Sequence, residues 1–199
     1  MERILVVGAT GAGKSTLARG VSERLKLPYH EMDALYFSGP DWAVNEHLTD
    51  DVLRLTAEPR WIIDSIGSSE VRDLLWELAD TVLWLDYGRG VIMPRVLRRS
   101  LRRTVTRERV FGGNRETWAG WLSHEHPAWW AWSQHAGRRA EIERRTNDPR
   151  FAPLTTLRFA RPRETAAWLG ELGRAVRGRA CPRRVRRGPG RTAPGWCWG

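Results

Sequence analysis

The chain has 199 residues and a mass of 22.9 kDa, which fits one domain with an insertion better than two full domains. Eight of the 33 basic residues and none of the 23 acidic ones lie in residues 174–199, so the net charge of +10 falls to +2 for residues 1–173. No segment approaches the run of about 18 apolar residues that a membrane span needs, which excludes a membrane-spanning helix.

Strand-like and helix-like segments alternate along most of the chain. The apolar run at residues 4–7 predicts a strand buried on both faces, and Leu17, Val21 and Leu25 predict a helix with one apolar stripe. The spacing predicts right-handed crossovers and a parallel sheet covered by helices. The remaining predicted segments are a weak strand at 29–32, a helix at 48–55, strands at 61–63, 81–85 and 154–159, and helices at 71–78 and about 162–172.

Two segments do not follow this alternation. About 68 residues rich in Arg and Trp separate the fourth and fifth strands, and we interpret them as a helical insertion that covers a site. The tail at 174–199 lacks apolar periodicity, which predicts disorder. Both cysteines, Cys181 and Cys197, lie in this tail, so the core needs no disulfide. Because the N-terminus also lacks a signal-peptide pattern, we expect a cytoplasmic protein.

The turn after the first strand has the pattern G-x-x-x-x-G-K-[S/T], whose glycines let backbone N–H groups surround phosphates. Lys14 is expected to reach the β and γ phosphates, and the Ser15 hydroxyl to ligate magnesium. The motif lies between a buried strand and an amphipathic helix, as such loops do. The sequence therefore predicts ATP and Mg²⁺ as cofactors. The expected nucleotide-binding residues are Gly8, Ala9, Thr10, Gly11, Ala12, Gly13, Lys14, Ser15 and Thr16.

Three carboxylates, Asp33, Asp64 and Asp86, follow predicted strands, and ligands of parallel sheets bind outside the carboxyl ends of strands. Asp64 is expected near the magnesium ion, because its strand would neighbour the first strand. Asp33 would lie farther along the cleft, where it could accept a proton or a hydrogen bond from the group receiving the phosphate. Asp86 is the weakest candidate. For each of the three, the alternative is a helix N-cap or a solvated strand end.

Five arginines recur at three- and four-residue spacing after the fourth strand, so several share one helix face. Phosphate transfer needs positive charge beside the transferring group, and the planar guanidinium suits that role. We expect Arg99 and Arg103 to be catalytic, together with Lys14 and Asp33. The alternative is a solvated basic face. The five are Arg95, Arg98, Arg99, Arg102 and Arg103.

A second metal site is disfavoured at His124-Glu125-His126, because residues two apart on a helix point away from each other. The tryptophans of the insertion are expected to pack it rather than to stack on bases. They are Trp118, Trp121, Trp129, Trp130 and Trp132.

Several segments together resemble a group of small P-loop kinases related to adenylate kinase, commonly labelled DNA topology modulation or FlaR-like proteins. The resemblance covers residues 1–172, and the phosphate loop is the one segment that is specific by itself. The other segments that carry it are 30–35 with Trp42, 61–64, 79–87, the arginine helix, 113–116 and 161–164.

The resemblance implies an α/β, three-layer P-loop NTPase fold with a parallel five-stranded sheet in the order 2-3-1-4-5. The domain would span residues 1–173, with the arginine-rich insertion at about 89–150 acting as a lid that closes over the phosphates. Asn114 and Arg115 would help to shape this lid. The chain departs from the group at Ser65-Ile66-Gly67, where relatives typically have Gly-Asn-Tyr, so the resemblance does not extend to the acceptor side of the cleft.

Two functions remain open from the sequence. The first is a phosphotransferase that moves the γ-phosphate of ATP to a nucleoside, a nucleotide or another small hydroxyl compound; Arg54 and Arg60 are available for a nucleotide acceptor. The alternative is a nucleotide-regulated DNA-binding or topology-modulating ATPase without small-molecule kinase activity. Its tail arginines would make weak, nonspecific and salt-sensitive contacts with nucleic acid.

Overall fold

A parallel five-stranded sheet forms the centre of the computed structural model, which describes residues 1–39, 43–109, 118, 121 and 127–180. The strands are β1 (Arg3–Gly8), β2 (Tyr29–His30), β3 (Trp61–Ile63), β4 (Thr81–Leu85) and β5 (Thr155–Phe159), and their order is β2-β3-β1-β4-β5. The predicted order 2-3-1-4-5 is therefore confirmed, as is the α/β P-loop NTPase fold class.

Seven α-helices cover the two faces of the sheet in the described part of the chain. Three of them, α3, α4 and α7, begin within one residue of the predicted positions. The helices are α1 (Lys14–Leu25), α2 (Met32–Tyr36), α3 (Leu48–Thr56), α4 (Arg72–Leu78), α5 (Arg89–Thr106), α6 (Pro127–Thr146) and α7 (Pro162–Ala180), with a 3-10 helix at Pro149–Phe151. None of the helices in these ranges combines the length and the apolarity needed to cross a membrane.

The central strands are buried on both faces, as their continuous apolar runs predict. Residues alternate along β1, so that Ile4 and Val6 pack under α1 and α5, while Leu5 and Val7 pack on the other side with α3 and α4. Trp61 and Trp76 are fully buried in this second layer. Because three neighbouring strands are covered on both sides, their carboxyl ends are held in fixed positions at one edge of the sheet.

Two boundaries differ from the sequence prediction. The weak strand expected at 29–32 has only two residues, and the chain turns at Glu31 into α2, so Asp33 lies in the first turn of a short helix. The last helix, expected to end near Leu172, continues to Ala180, so the predicted disordered tail at 174–199 began too early. Residues 181–199 lie outside the described part of the chain.

Gly11 packs against α5 in a position that no larger residue fits. Its φ is +85°, in the left-handed region, and a Cβ atom placed there would lie 2.3 Å from Cγ2 of Val96. We expect Gly11→Ala to lower the free energy of unfolding by about 1–3 kcal/mol, because it combines backbone strain with overpacking. Urea unfolding followed by circular dichroism measures this difference.

Gly137→Ala is the matched control, because Gly137 is helical and a Cβ atom there meets nothing within 4 Å. This control is expected to raise stability by about 0.4–1 kcal/mol through the unfolded state and helix propensity. Equal effects of the two substitutions would contradict the close packing of the loop on α5.

Candidate active site

The phosphate loop connects the end of β1 to the start of α1. Gly11 and Gly13 have φ values of +85° and +97°, and these left-handed conformations turn the loop back over its own backbone. Gly13 is the N-cap of α1, and no side chain caps that helix end. The first N–H groups of α1 are therefore available to an anion at the positive end of the helix.

Lys14 begins α1 and extends back along the loop. Its Nζ donates to the carbonyl oxygen of Ala9 at 3.4 Å. Burial lowers the pKa of Lys14, while the carboxylates of Asp33 and Asp64 act in the opposite direction. The ammonium group therefore lies between the loop and both candidate carboxylates.

Asp64 follows β3 and is 6% exposed. Its Oδ2 accepts a hydrogen bond from the Tyr29 hydroxyl at 2.9 Å, and its Oδ1 accepts one from the backbone N–H of Met32 at 3.2 Å. Both oxygens are thus oriented by β2 and the start of α2, with Lys14 close enough to interact electrostatically.

Asp33 lies on the same cleft as Lys14. Although part of the residue is exposed, desolvation raises the pKa of its carboxyl group, and the charge of Asp64 adds to this effect. Lys14, Arg99 and Arg103 lower the same pKa. The structure thereby brings together all four residues that the sequence predicted to be catalytic.

A cleft of about 970 Å³ lies between the phosphate loop, the arginine face of α5 and the start of α7. Arg95 donates through Nη1 to the carbonyl oxygen of Ala12 at 3.1 Å, which joins α5 to the loop. Arg98 is exposed and does not line this cleft, as expected for the solvated alternative. The cleft residues from the predicted set are Thr10, Gly11, Ala12, Gly13, Lys14, Ser15, Thr16, Asp33, Asp64, Arg95, Arg99, Arg102 and Arg103.

Asp86 has a different environment from the other two carboxylates. Arg158 Nη2 lies 2.6 Å from Oδ2 of Asp86, and Arg139 Nε lies 2.9 Å from Oδ1. The guanidinium group of Arg158 also stacks on Trp84, at 4.2 Å from the ring centroid. Asp86 therefore joins β4, β5 and α6 through ion pairs, and its charge is neutralised there.

Arg138 on α6 is a charged residue that sequence reasoning missed; it does not line the cleft, but its charge interacts with Lys14 and Asp33. Its helix is fixed to α4 by two ion pairs, Arg72 with Glu141 at 2.5 Å and Arg145 with Asp73 at 2.7 Å. Burial lowers the pKa of Arg138, Arg72 adds to this effect, and Glu141 and Asp33 oppose it. The helical spacing from Ala131 to Arg138 and Arg145 places all three on one inward face, a signal that was present in the sequence.

Tyr29 is a second missed residue, and its two-residue strand gave no signal for it. Burial and the neighbouring Asp64 raise the pKa of the Tyr29 hydroxyl, whereas the nearby Ser15 hydroxyl lowers it. The Tyr29 hydroxyl therefore lies near both residues predicted to bind magnesium, and it donates to one of them, Asp64.

Ser15 and Asp64 offer oxygen atoms only, which is the ligand type that Mg²⁺ prefers. Magnesium in nucleotide sites is held by one or two protein oxygens together with phosphates and water, so this small donor set fits the ion. Among the described residues, no group of three or more His, Cys, Asp or Glu side chains has the arrangement of a metal site. The segments 113–116 and 124–126 lie outside the described residues.

No protein-family model matches this chain, and no curated protein matches it. Solved structures with a similar fold include a sugar kinase from a Janibacter species, unliganded, at 21% identity and a TM-score of 0.47, with 88% of this chain and 98% of that one covered. A shikimate kinase from Acinetobacter baumannii in complex with shikimate has 16% identity and a TM-score of 0.49, with 90% and 94% covered.

A gluconokinase from Sinorhizobium meliloti 1021 has 17% identity and a TM-score of 0.43, with 90% of this chain and 98% of that one covered. At these identities and TM-scores, the fold class follows from the strand order of this chain. These similarities do not by themselves indicate a reaction for this chain.

Proposed function

We propose that this protein transfers the γ-phosphate of ATP to a hydroxyl group of a small acceptor. The observation that carries the proposal is that Lys14, Asp33 and the α5 arginines meet around one cleft at the phosphate loop. A protein that only bound a triphosphate would require no more than the loop and Lys14. A carboxylate beside Lys14 at the acceptor end, with arginines across the cleft, supports transfer to a second substrate.

In the proposed reaction, the acceptor hydroxyl lies against Asp33 and its oxygen attacks the γ-phosphorus. The bond between that phosphorus and the β–γ bridging oxygen breaks, and ADP leaves with the electron pair. The hydroxyl proton passes to the Asp33 carboxylate. A raised pKa makes this carboxylate a better proton acceptor than an ordinary exposed one.

The positive charges around the cleft would stabilise the transferring group. Lys14 follows the loop on one side, and Arg99 and Arg103 approach from α5 on the other. Ser15 and Asp64 would hold Mg²⁺, which when bound neutralises negative charge on the β and γ phosphates. Because these groups are already placed by packed helices and strands, little reorganisation is needed at the moment of transfer.

The proposal includes three further predictions from the sequence. The insertion acts as a lid, the chain is related to the DNA topology modulation group, and the protein is cytoplasmic. The first is supported by α5, which carries cleft arginines at one end of the insertion, and by α6, whose Arg138 interacts electrostatically with Asp33. In this proposal the acceptor side would lie near Ser65-Ile66-Gly67, a turn in which Gly67 has a φ of +89° and a Cβ position 2.8 Å from Cα of Arg72.

An acceptor screen tests the proposal directly. With ATP and Mg²⁺, nucleosides, nucleotides, sugars and small alcohols or hydroxy acids are supplied one at a time, and ADP and phosphorylated product are measured together. We expect one acceptor class to yield ADP and product in a 1:1 ratio. Slow ADP release with free phosphate and no product from any class would contradict the proposal and favour a regulatory ATPase.

The nucleic-acid alternative stays a prediction. It depends on the tail arginines, and those beyond Ala180 lie outside the described residues.

A further inference from the structure

The Tyr29 hydroxyl contacts the predicted magnesium ligand Asp64. It donates to Oδ2 of Asp64 at 2.9 Å, and the nearby Ser15 side chain lowers the pKa of the same phenol. The second Asp64 oxygen accepts a hydrogen bond from the backbone N–H of Met32, which lies three residues after Tyr29. The pairing of Tyr29 with Ile62 in the parallel ladder brings this hydroxyl alongside the end of β3.

We propose that Tyr29 is a positioning residue for the Mg²⁺ that accompanies the nucleotide, an inference that rests on the proposed function. A phenol has one proton to donate, and here Asp64 receives it. The same contact fixes the Asp64 carboxylate, and outer contacts of this kind set the orientation of metal ligands.

The ring of Tyr29 is held separately from its hydroxyl group. The Arg19 guanidinium lies 5.5 Å from the ring centroid and pairs with Glu31 at 3.1 Å, so it covers one face of the ring. Tyr29→Phe keeps the ring and this stacking and removes only the hydroxyl group that donates to Asp64. The substitution therefore isolates the contact on which the inference depends.

The experiment measures the affinity of a fluorescent ATP analogue for wild type and Tyr29→Phe, first in EDTA and then in excess MgCl₂. We expect the two proteins to agree within about twofold in EDTA. The gain in affinity on adding MgCl₂ should be about 10- to 100-fold smaller in the variant, the range found when outer contacts of metal ligands are removed. Tyr36→Phe is the control, because Tyr36 packs edge-on against Phe37 at 5.0 Å, and we expect it to behave as wild type.

Two results would overturn the inference alone. One is a Tyr29→Phe protein whose nucleotide affinity rises on adding MgCl₂ as much as that of wild type. The other is an equal loss of affinity with and without magnesium, which a merely structural role produces. A wild-type protein without any magnesium-dependent binding would instead overturn the proposed function, and this inference with it. The wild-type and variant measurements therefore separate the two failures.

Discussion

Replacement of Lys14 by alanine is expected to lower kcat for phosphate transfer by about 10²- to 10³-fold, the effect of removing one preorganised donor to developing charge. The Lys14 ammonium group is the cation that lies on the phosphate loop itself, with its Nζ on the Ala9 carbonyl. Its removal leaves Asp33 and Asp64 without their nearest loop cation, so nucleotide affinity should also fall. Initial rates with the acceptor found in the screen, together with nucleotide titrations, measure both effects.

The matched control uses the second of the two lysines in the chain. Lys26 ends α1 at a φ of 55° and is exposed, so Lys26→Asn removes a lysine charge while keeping a residue that tolerates left-handed backbone. This control should transfer phosphate as wild type does. If Lys14→Ala is folded by circular dichroism and retains wild-type kcat, the loop is not the site of transfer.

The architecture of the sheet was predictable because burial imposes one kind of pattern on it. Strands covered on both faces need continuous apolar runs, and residues 4–7, 61–63 and 81–85 have little else. The phosphate loop was predictable for a different reason. Left-handed backbone at Gly11 and Gly13 restricts the residue choice so strongly that the motif appears in the sequence itself.

The side chains contributed by the insertion were harder to predict. Arg138 reaches the neighbourhood of Asp33 only because Glu141 and Arg145 fix α6 against α4, and such pairings between distant elements leave little local signal. Tyr29 shows the same limit, since its proposed role arises from strand pairing with β3 rather than from its own two-residue strand.

The end of α7 was misplaced for a related reason. The prediction relied on apolar periodicity, which stops near Leu172. Leu169 and Leu172 pack against the core, while the residues that follow are mainly Arg, Ala and Gly. Arginine and alanine are strong helix formers, so the helix continues to Ala180 without needing an apolar stripe.

Replacement of Asp33 by asparagine is the second substitution with a large expected effect. It keeps the shape of the side chain and removes the proposed proton acceptor, so kcat should fall by about 10²- to 10⁴-fold. Magnesium-dependent nucleotide affinity should stay near that of wild type, because Ser15 and Asp64 are the proposed ligands.

Loss of that affinity in Asp33→Asn would instead indicate that Asp33 binds the metal, and would contradict its proposed role at the acceptor. Asp50→Asn, at an exposed position in the first turn of α3, is the control and should leave both quantities unchanged.

Stability measured against pH gives an independent check of this carboxylate. Desolvation raises the pKa of Asp33 in the folded protein above its unfolded value, so folding favours the protonated form. The associated stability is present below the unfolded pKa and is lost as the pH rises through the folded pKa. Asparagine has no such loss, so the urea midpoint of Asp33→Asn should rise relative to that of wild type as the pH rises to neutrality.

A variant that becomes less stable than wild type over the same range would contradict this prediction. It would show that the neighbouring cations stabilise the Asp33 carboxylate by more than desolvation destabilises it. An active-site carboxylate that costs stability while raising kcat is the expected consequence of placing a proton acceptor beside Asp64 in a partly desolvated cleft.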